Sequence, residues 1–396
     1  MVAKPTRVVF PFVGDEVGGS HISAMKLIAG LDKTIVEPVI VLHTSSGPLV
    51  KYFDALGLAY VMAPRISILT PRFRKPLLAV LRQALAYPGD LRAMVRFLKQ
   101  LDAKIVHTND GQIHATWALP ARLAGAKLLW HHRSDPTARG VNWLAPILAN
   151  EIVTVSHFAK PVRPVRSVEG RVTVLHSPFD HPDRSLDREA CRQALVQELG
   201  LRHDARFVGY FGALIERKRP LDFVASIAAF KQRYPDIPLH GLVFGGLEKG
   251  GPPLDRDAEQ LALKLGVSDR VHLMGHRSPV APYMSAVDAL LVPAINEPFG
   301  RTLIEAMLLR TPVIATDHGG NREAITDGKN GFLVPSMQPE CFVEPLSRLL
   351  TDRAEWQRIS EFAEREARSK YGVAGHVAGV THLYHRMVGS QQALSS

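Results

Sequence analysis

At 396 residues the chain is longer than one hydrophobic core usually supports, and its 46% apolar and 22% charged composition suits a folded protein of two domains. Two cysteines far apart, Cys191 and Cys341, exclude a disulfide scaffold and point to a reducing, cytoplasmic compartment. No run of about 18 apolar residues and no cleavable apolar leader occurs, so neither a transmembrane helix nor a secretory signal is expected. The formal net charge of +10 lies in one half: residues 1–180 hold 22 Lys and Arg against 12 Asp and Glu, and the remainder holds 26 of each. The first half therefore suits an anionic partner.

Arg7 to Val13 reads as a strand, and Gly14-Asp15-Glu16-Val17-Gly18-Gly19-Ser20 opens a helix over His21 to Leu31. Gly18 and Gly19 permit close backbone approach to a ligand, and the helix amides suit a phosphate. The spacing is not the dinucleotide pattern G-x-G-x-x-G, so no nicotinamide cofactor is indicated. Val36 to Leu42 reads as a strand, Gly47 to Leu56 as a helix and Ala59 to Ala63 as a strand.

Pro64 to Lys104 is the densest basic stretch, with Arg72, Arg74, Lys75 and Arg82 interleaved among leucines. It predicts a pair of amphipathic helices, either solvated on the basic face or lying on an anionic membrane. The charge asymmetry favours the membrane. A nucleic-acid partner is not expected, because the region has no recognised motif and no aromatic stacking platform.

Further strands are expected at Lys104–His107, Lys127–Trp130, Ile152–Val155 and Val172–Leu175, with a helix over His114 to Leu123. His131-His132-Arg133 ends the second of these strands. No other His, Cys or Asp set has ligand spacing, so a polar contact is read here and no metal site.

After a linker and helix within His181 to His203, strands are expected at Arg206–Tyr210, Leu239–Phe244, Arg270–Met274, Ala289–Val292 and Thr311–Ala315. Helices are expected near Pro220–Arg233, Arg256–Leu265, Thr302–Leu309 and Pro339–Leu350. Strands alternating with helices predict an α/β chain of two Rossmann-like, doubly wound parallel-sheet domains facing a cleft. The domains are drawn at 1–180 and 181–372, with a helix at about 373–388 returning to the first.

Three turns of the second half carry chemistry. Arg217-Lys218-Arg219, shortly after Gly212, places three cations at a strand-to-helix turn, where they can clamp a diphosphate. Asn296-Glu297-Pro298-Phe299-Gly300-Arg301-Thr302 leads from a buried strand into a helix that bears Glu305. Carboxylates beside an anion site repel the anion, so Glu297 and Glu305 are better suited to accept hydrogen bonds from hydroxyls. A nucleotide sugar offers both phosphates and hydroxyls. His318-Gly319-Gly320 is a second glycine turn that can supply further amides to the same anion.

These pieces, in this order, resemble the retaining glycosyltransferases of family 4, which have the GT-B fold. Glu297-Pro298-Phe299-Gly300 through Glu305-Ala306-Met307 carries most of the resemblance, supported by Gly212 with Lys218 and by Val271-His272-Leu273-Met274-Gly275. The resemblance implies that the second domain binds a nucleoside-diphosphate sugar and the first mainly binds the acceptor. Glu297 would hold donor-sugar hydroxyls and Glu305 the ribose. Phe299, Gly300, Arg301 and Thr302 would line the sugar and phosphates with backbone groups, and Lys218 with Arg217 would neutralise the diphosphate. Gly18 and Gly19 would approach it from the first domain. His132, with His131 as the alternative, would contact the sugar; Arg219, Gly275, Arg277, Gly319 and Gly320 are further donor-binding candidates.

By the same resemblance the anomeric configuration is retained by front-face attack, with no metal, no cofactor and no separate protein base. The acceptor is a glycan or lipid linked to a membrane, with the protein peripheral on its cytoplasmic face. Two departures stand out: Ala213 occupies a position where the family often has arginine, and His176-Ser177-Pro178-Phe179-Asp180 replaces its Pro-Asn-Gly. Arg217 or Arg219 is expected to cover the missing charge. A nucleotide-sugar epimerase and a non-catalytic nucleotide-sugar-binding protein are the competing readings.

Overall fold

The computed structural model describes residues 4–69, 77–181, 186–248 and 250–392. The chain forms two compact units, Met1–Pro178 with Val373–Ser396, and Phe179–Gly372. Each is built on one all-parallel sheet.

In the first unit the strands are β1 (Thr6–Phe12), β2 (Val36–Leu42), β3 (Val61–Met62), β4 (Ile105–Thr108), β5 (Lys127–His132), β6 (Glu151–Thr154) and β7 (Val172–Val174). Their order is β3-β2-β1-β4-β5-β6-β7. The second unit contains β8 (Arg206–Phe211), β9 (Leu239–Phe244), β10 (Val271–Gly275), β11 (Ala289–Val292), β12 (Val313–Thr316) and β13 (Phe332–Val334), in the order β10-β9-β8-β11-β12-β13.

Central strands such as β4 and β11 are buried along their whole length, because helices cover both faces of a parallel sheet. Alternate residues of one strand consequently enter different cores. Leu129 and Val153 pack with helix Gly19–Gly30 and the C-terminal helix Val373–Gln392, through Val380, Leu383 and Tyr384. Leu128, Trp130 and Ile152 pack on the other face, with Met94, Trp117 and Ala145.

Several elements depart from the sequence reading. The basic stretch forms one helix among the described residues, Leu77–Gln100, rather than a pair. Pro88 lies inside it at an exposed position, and Met94 and Leu98 anchor the C-terminal half. Arg72, Arg74 and Lys75 lie outside the described residues. β3 is a two-residue edge strand, shorter than Ala59 to Ala63 suggested. β13, helix Ala281–Ala286 and helix Arg353–Lys370 were not anticipated. The last of these has a legible signal: Asp352 caps it by accepting from the Glu355 amide at 2.9 Å, and Trp356, Ile359, Ala363 and Ala367 are buried at helical spacing. The C-terminal helix continues to Gln392, past Gly389.

Candidate active site

In the second unit the site is built at the carboxyl ends of β8 and β11. Beyond β11 the chain turns through Asn296, whose φ of 52° is a left-handed conformation that asparagine tolerates better than most residues. Its amide donates to His318 Nδ1 at 3.1 Å, and the Ile295 amide donates to the Arg217 carbonyl at 2.8 Å. Neighbouring crossovers therefore grip the loop from two sides before it reaches Glu297.

A third grip comes from the glycine turn. The Gly320 amide donates to the Glu297 carbonyl at 2.8 Å, so it braces the loop instead of facing an anion, contrary to the sequence expectation. A Cβ at Gly320 would lie 2.4 Å from the Pro298 carbonyl oxygen, and one at Gly319 (φ 60°) 2.7 Å from that of Glu297. Both positions need glycine because the Glu297-Pro298 backbone lies against them.

Glu297 is buried, and its Oε2 lies 2.6 Å from Arg217 Nη1 and 3.7 Å from Lys218 Nζ. Arg219 is in the same turn but leaves it in another direction. With a left-handed φ of 54°, it forms a two-pronged pair with Asp222, both contacts at 2.9 Å, at the head of helix Pro220–Arg233. Arg217, not Arg219, supplies the second cation at Glu297. Burial raises the Tyr210 phenol above its usual range, and the nearby Glu297 charge adds to the effect.

Helix Arg301–Leu308 follows, with Gly300 as an N-cap that has no side chain to satisfy the first amides. Thr302 on its first turn lines a cavity of about 630 Å³ together with Gly212, Ala213, Gly245, Gly246 and Arg277. Arg277 is held by Glu198 at 2.6 Å and the Met274 carbonyl at 3.1 Å. Gly275 does not line this cavity; its carbonyl accepts from the Gly245 amide at 2.9 Å and braces the rim. Glu305 pairs with Arg301 at 3.2 Å, and the Arg301 guanidinium lies 4.3 Å from the centre of the Phe179 ring. Phe299 is buried and packs edge-on against Tyr371.

The first unit holds the remaining candidates. Gly18 is the N-cap of helix Gly19–Gly30, and its amide donates to His21 Nδ1 at 3.1 Å. His131 and His132 are both buried, but as consecutive strand residues they face opposite sides of the sheet. His132 lines a cavity of about 260 Å³ with Ser20, Asn109, Asp110 and Arg133. Its Nε2 lies 3.0 Å from the Asp135 carbonyl, and burial lowers its basicity. Asn109 Nδ2 is buried there without a partner among the described residues, so a ligand oxygen would satisfy it. Burial raises the Asp110 carboxyl to about 6.

His131 lies instead in a fully buried chain that sequence reasoning did not find. Arg133 Nη2 donates to His131 Nδ1 at 3.2 Å, which fixes the neutral tautomer of that ring with its proton on Nε2. His107 Nε2 then donates to the same Nδ1 at 3.1 Å, and Tyr384 donates to His107 Nδ1 at 2.5 Å. His376 stacks on His131 with ring centres 5.7 Å apart. Burial, reinforced by the Arg133 charge, pushes His107 and His131 well below the usual histidine range and His376 down to about 3.

Residues 192–366 match the sequence model of the family described as Glycosyl transferases group 1. A D-inositol 3-phosphate glycosyltransferase of Corynebacterium urealyticum is 30% identical over 220 residues, covering 55% of this chain and 52% of that protein. The matched segment thus spans about half the length of the curated relative. The fold is close to that of Anabaena Alr3699/HepE, solved in complex with UDP-glucose. The TM-score is 0.76 at 19% identity, covering 96% of this chain and 99% of that one. A glycosyltransferase from Rickettsia africae gives a TM-score of 0.77 at 17% identity, covering 98% and 99%. Residues 192–366 thus carry the sequence pattern of the group 1 glycosyl transferases, and the chain has the GT-B fold of its structural neighbours.

Proposed function

We propose that this protein is a retaining glycosyltransferase that moves a sugar from a nucleoside-diphosphate sugar to a hydroxyl of a membrane-linked glycan or lipid. The observation that carries the reading is the convergence of Glu297, Arg217 and Lys218 beside a helix N-terminus and a cavity of about 630 Å³. Anionic and neutral parts of one donor are met by different groups. Arg217, Lys218 and the first amides of helix Arg301–Leu308 suit the diphosphate, whereas Glu297 and Glu305 accept from hydroxyls of the transferred sugar and the ribose.

In the proposed reaction the bond from the anomeric carbon to the β-phosphate oxygen breaks, and the acceptor oxygen bonds on the same face. The acceptor proton passes to the departing phosphate oxygen. Arg217 and Lys218 stabilise the charge that accumulates on the leaving diphosphate, so neither a metal nor a protein base is assigned a step. Asn109, Asp110, His132 and Arg133 form the acceptor-side cavity. UDP-glucose, bound by the Anabaena protein, is the first donor to try, and an inositol phosphate, named for the corynebacterial relative, the first acceptor.

Membrane association is part of the proposal, with the protein peripheral on a cytoplasmic face. Helix Leu77–Gln100 exposes Leu78, Leu81 and Leu85 beside Arg82, an apolar and basic surface of the kind that lies on anionic lipid. No helix among the described residues is long and apolar enough to cross a membrane.

Glu297→Gln tests the central assignment. It is expected to lower kcat by about 10²-fold or more with little change in melting temperature, since the carboxylate charge and not the side-chain volume is removed. Transfer at the wild-type rate would overturn the assignment. A thermal-shift panel of UDP-, GDP- and ADP-sugars identifies the donor, because a ligand of the folded state raises its stability. NMR of the product reads the anomeric configuration, and the same measurement without acceptor separates transfer from epimerisation.

A further inference from the structure

Beside the smaller cavity, whose wall includes Gly140 and Val141, one surface of the first unit joins exposed apolar side chains to cations. After β5 the chain forms a π-helical turn, Gly140–Leu144, and the short helix Ala145–Leu148. Val141 and Ala145 are buried in the core beneath. Trp143 and Ile147 project outward, 60% and 59% exposed, and their four-residue spacing makes them neighbours on one helical side.

The segment after β6 is stitched alongside. The Arg163 amide donates to Asn142 Oδ1 at 2.8 Å, and the Val165 amide to the Asn142 carbonyl at 2.9 Å. The Arg171 guanidinium joins the Pro146 carbonyl (3.0 Å) to that of Ser167 (2.8 Å). This segment contains a tandem triplet, Pro161-Val162-Arg163 and Pro164-Val165-Arg166, with Val162 and Val165 55% and 54% exposed. Four apolar side chains, an indole among them, thus face solvent together.

The charge around them is predominantly positive, with Asp135 and the exposed Glu169 at the two ends of the stretch. Residues 136–168 contain Arg139, Lys160, Arg163 and Arg166, and their only acid is Glu151, buried and paired with Arg386 at 2.7 Å. A second copy of this chain using the same patch would meet like charges and be repelled. A bilayer rich in anionic lipid accepts every component: the indole at the headgroup boundary, the aliphatic groups below it and the cations at the phosphates.

We propose that the surface formed by Trp143, Ile147, Val162 and Val165, with Arg163 and Arg166 beside them, docks onto anionic lipid. The proposal rests on the membrane reading above but uses residues other than the Leu78–Leu85 face, and glycosyl transfer is not needed to test it.

Trp117, Trp130 and Trp356 are buried, so Trp143 is the one exposed tryptophan of four and reports its own environment. The full-length chain is mixed with phosphatidylglycerol vesicles carrying brominated acyl chains. Fluorescence is expected to shift to the blue and be quenched. In Trp143→Phe the quenching disappears while the protein still floats with the vesicles. Arg163→Gln and Arg166→Gln each weaken partitioning roughly fivefold at low salt, with the difference shrinking as salt rises.

Vesicle-bound protein with unquenched Trp143 overturns the patch and leaves the membrane reading standing, whereas failure to float overturns both. A blue shift that grows with protein concentration in the absence of lipid makes the patch an interface between copies and also overturns the proposal. All three variants are expected to keep wild-type transfer to a water-soluble acceptor; losing it would place these residues in the transfer site and count against lipid docking.

Discussion

The two sheets end in opposite kinds of polar chemistry. At the edge of β8 and β11, Glu297 pairs with Arg217 and lies close to Lys218, and Arg217 remains partly open to solvent. At the edge of β4 and β5, His107, His131 and His376 are buried as neutral rings linked to one another, to Tyr384 and to Arg133. Charge that must meet a ligand is held at an accessible rim. Groups that only join the sheet to the C-terminal helix are stripped of charge, because burying an ion without a close counter-ion is costly. The second unit therefore carries the contacts proposed for the donor, while the first carries the steeper dependence on pH.

Acidification exposes the contrast most strongly. A histidine held neutral by burial takes up no proton in the folded chain until the pH is far below 6.5, whereas the unfolded chain takes one up near that value. Stability is therefore full above about pH 6.5 and is lost as the pH falls, by up to about 1.4 kcal/mol per pH unit for each such group. His107, His131 and His376 all act in this direction. Asp110, raised to about 6, acts oppositely and offsets one of them between about pH 6 and 4. Hydrogen exchange resolved by peptide, at pH 7 and pH 5, is expected to show the β4, β5 and Val373–Gln392 peptides losing protection before those of β8 and β11. Equal loss in both units would remove the contrast.

Within the charged edge, Arg217 and Arg219 can be set against each other. Arg217→Met is expected to lower kcat/KM by about 10²-fold, since it removes a charge-assisted contact proposed for the leaving diphosphate. Arg219→Met removes only the pair with Asp222, which points away from Glu297, and is expected to change transfer by less than about threefold while lowering stability, because the buried Asp222 loses its partner. Steady-state kinetics of both variants tests this; equal losses would mean that the cations act as one cluster.

The glycine turns give a smaller, complementary pair. Gly320→Ala places a Cβ against the Pro298 carbonyl and is expected to cost about 1–3 kcal/mol, read as a lower denaturation midpoint. At Gly18 the backbone is extended and a Cβ would meet only His21 Nδ1, at 3.7 Å. Gly18→Ala is therefore expected to leave stability unchanged, and its donor KM reads whether Gly18 makes the donor contact that the resemblance implies. A destabilised Gly18→Ala with normal KM would show that both glycines are structural.

The turns of the proposed donor half were legible because their geometry is local. Glu297 and Glu305 are fixed by a strand, a turn and the start of a helix, and Gly212 and Lys218 by another such turn. The cavity proposed for the acceptor was less legible. Two adjacent histidines could not be ranked, because strand alternation sends them to different faces and only the packed sheet shows that His132 meets the cavity while His131 meets His107 and His376, the latter more than 200 residues away. The exposed patch around Trp143 was not anticipated, because an exposed tryptophan and a buried one look alike in a sequence.

By itself the sequence determined the α/β class, the parallel sheets and the turns at their carboxyl ends, since periodicity and turn chemistry act over a few residues. Tertiary structure decided which groups of those turns face each other. It turned Arg219 toward Asp222 and Arg217 toward Glu297, placed Gly320 beneath the Glu297 loop, and returned the C-terminal helix to the first sheet. The physical reason is that side-chain direction and desolvation depend on what packs against a residue, and that neighbour can lie hundreds of positions away.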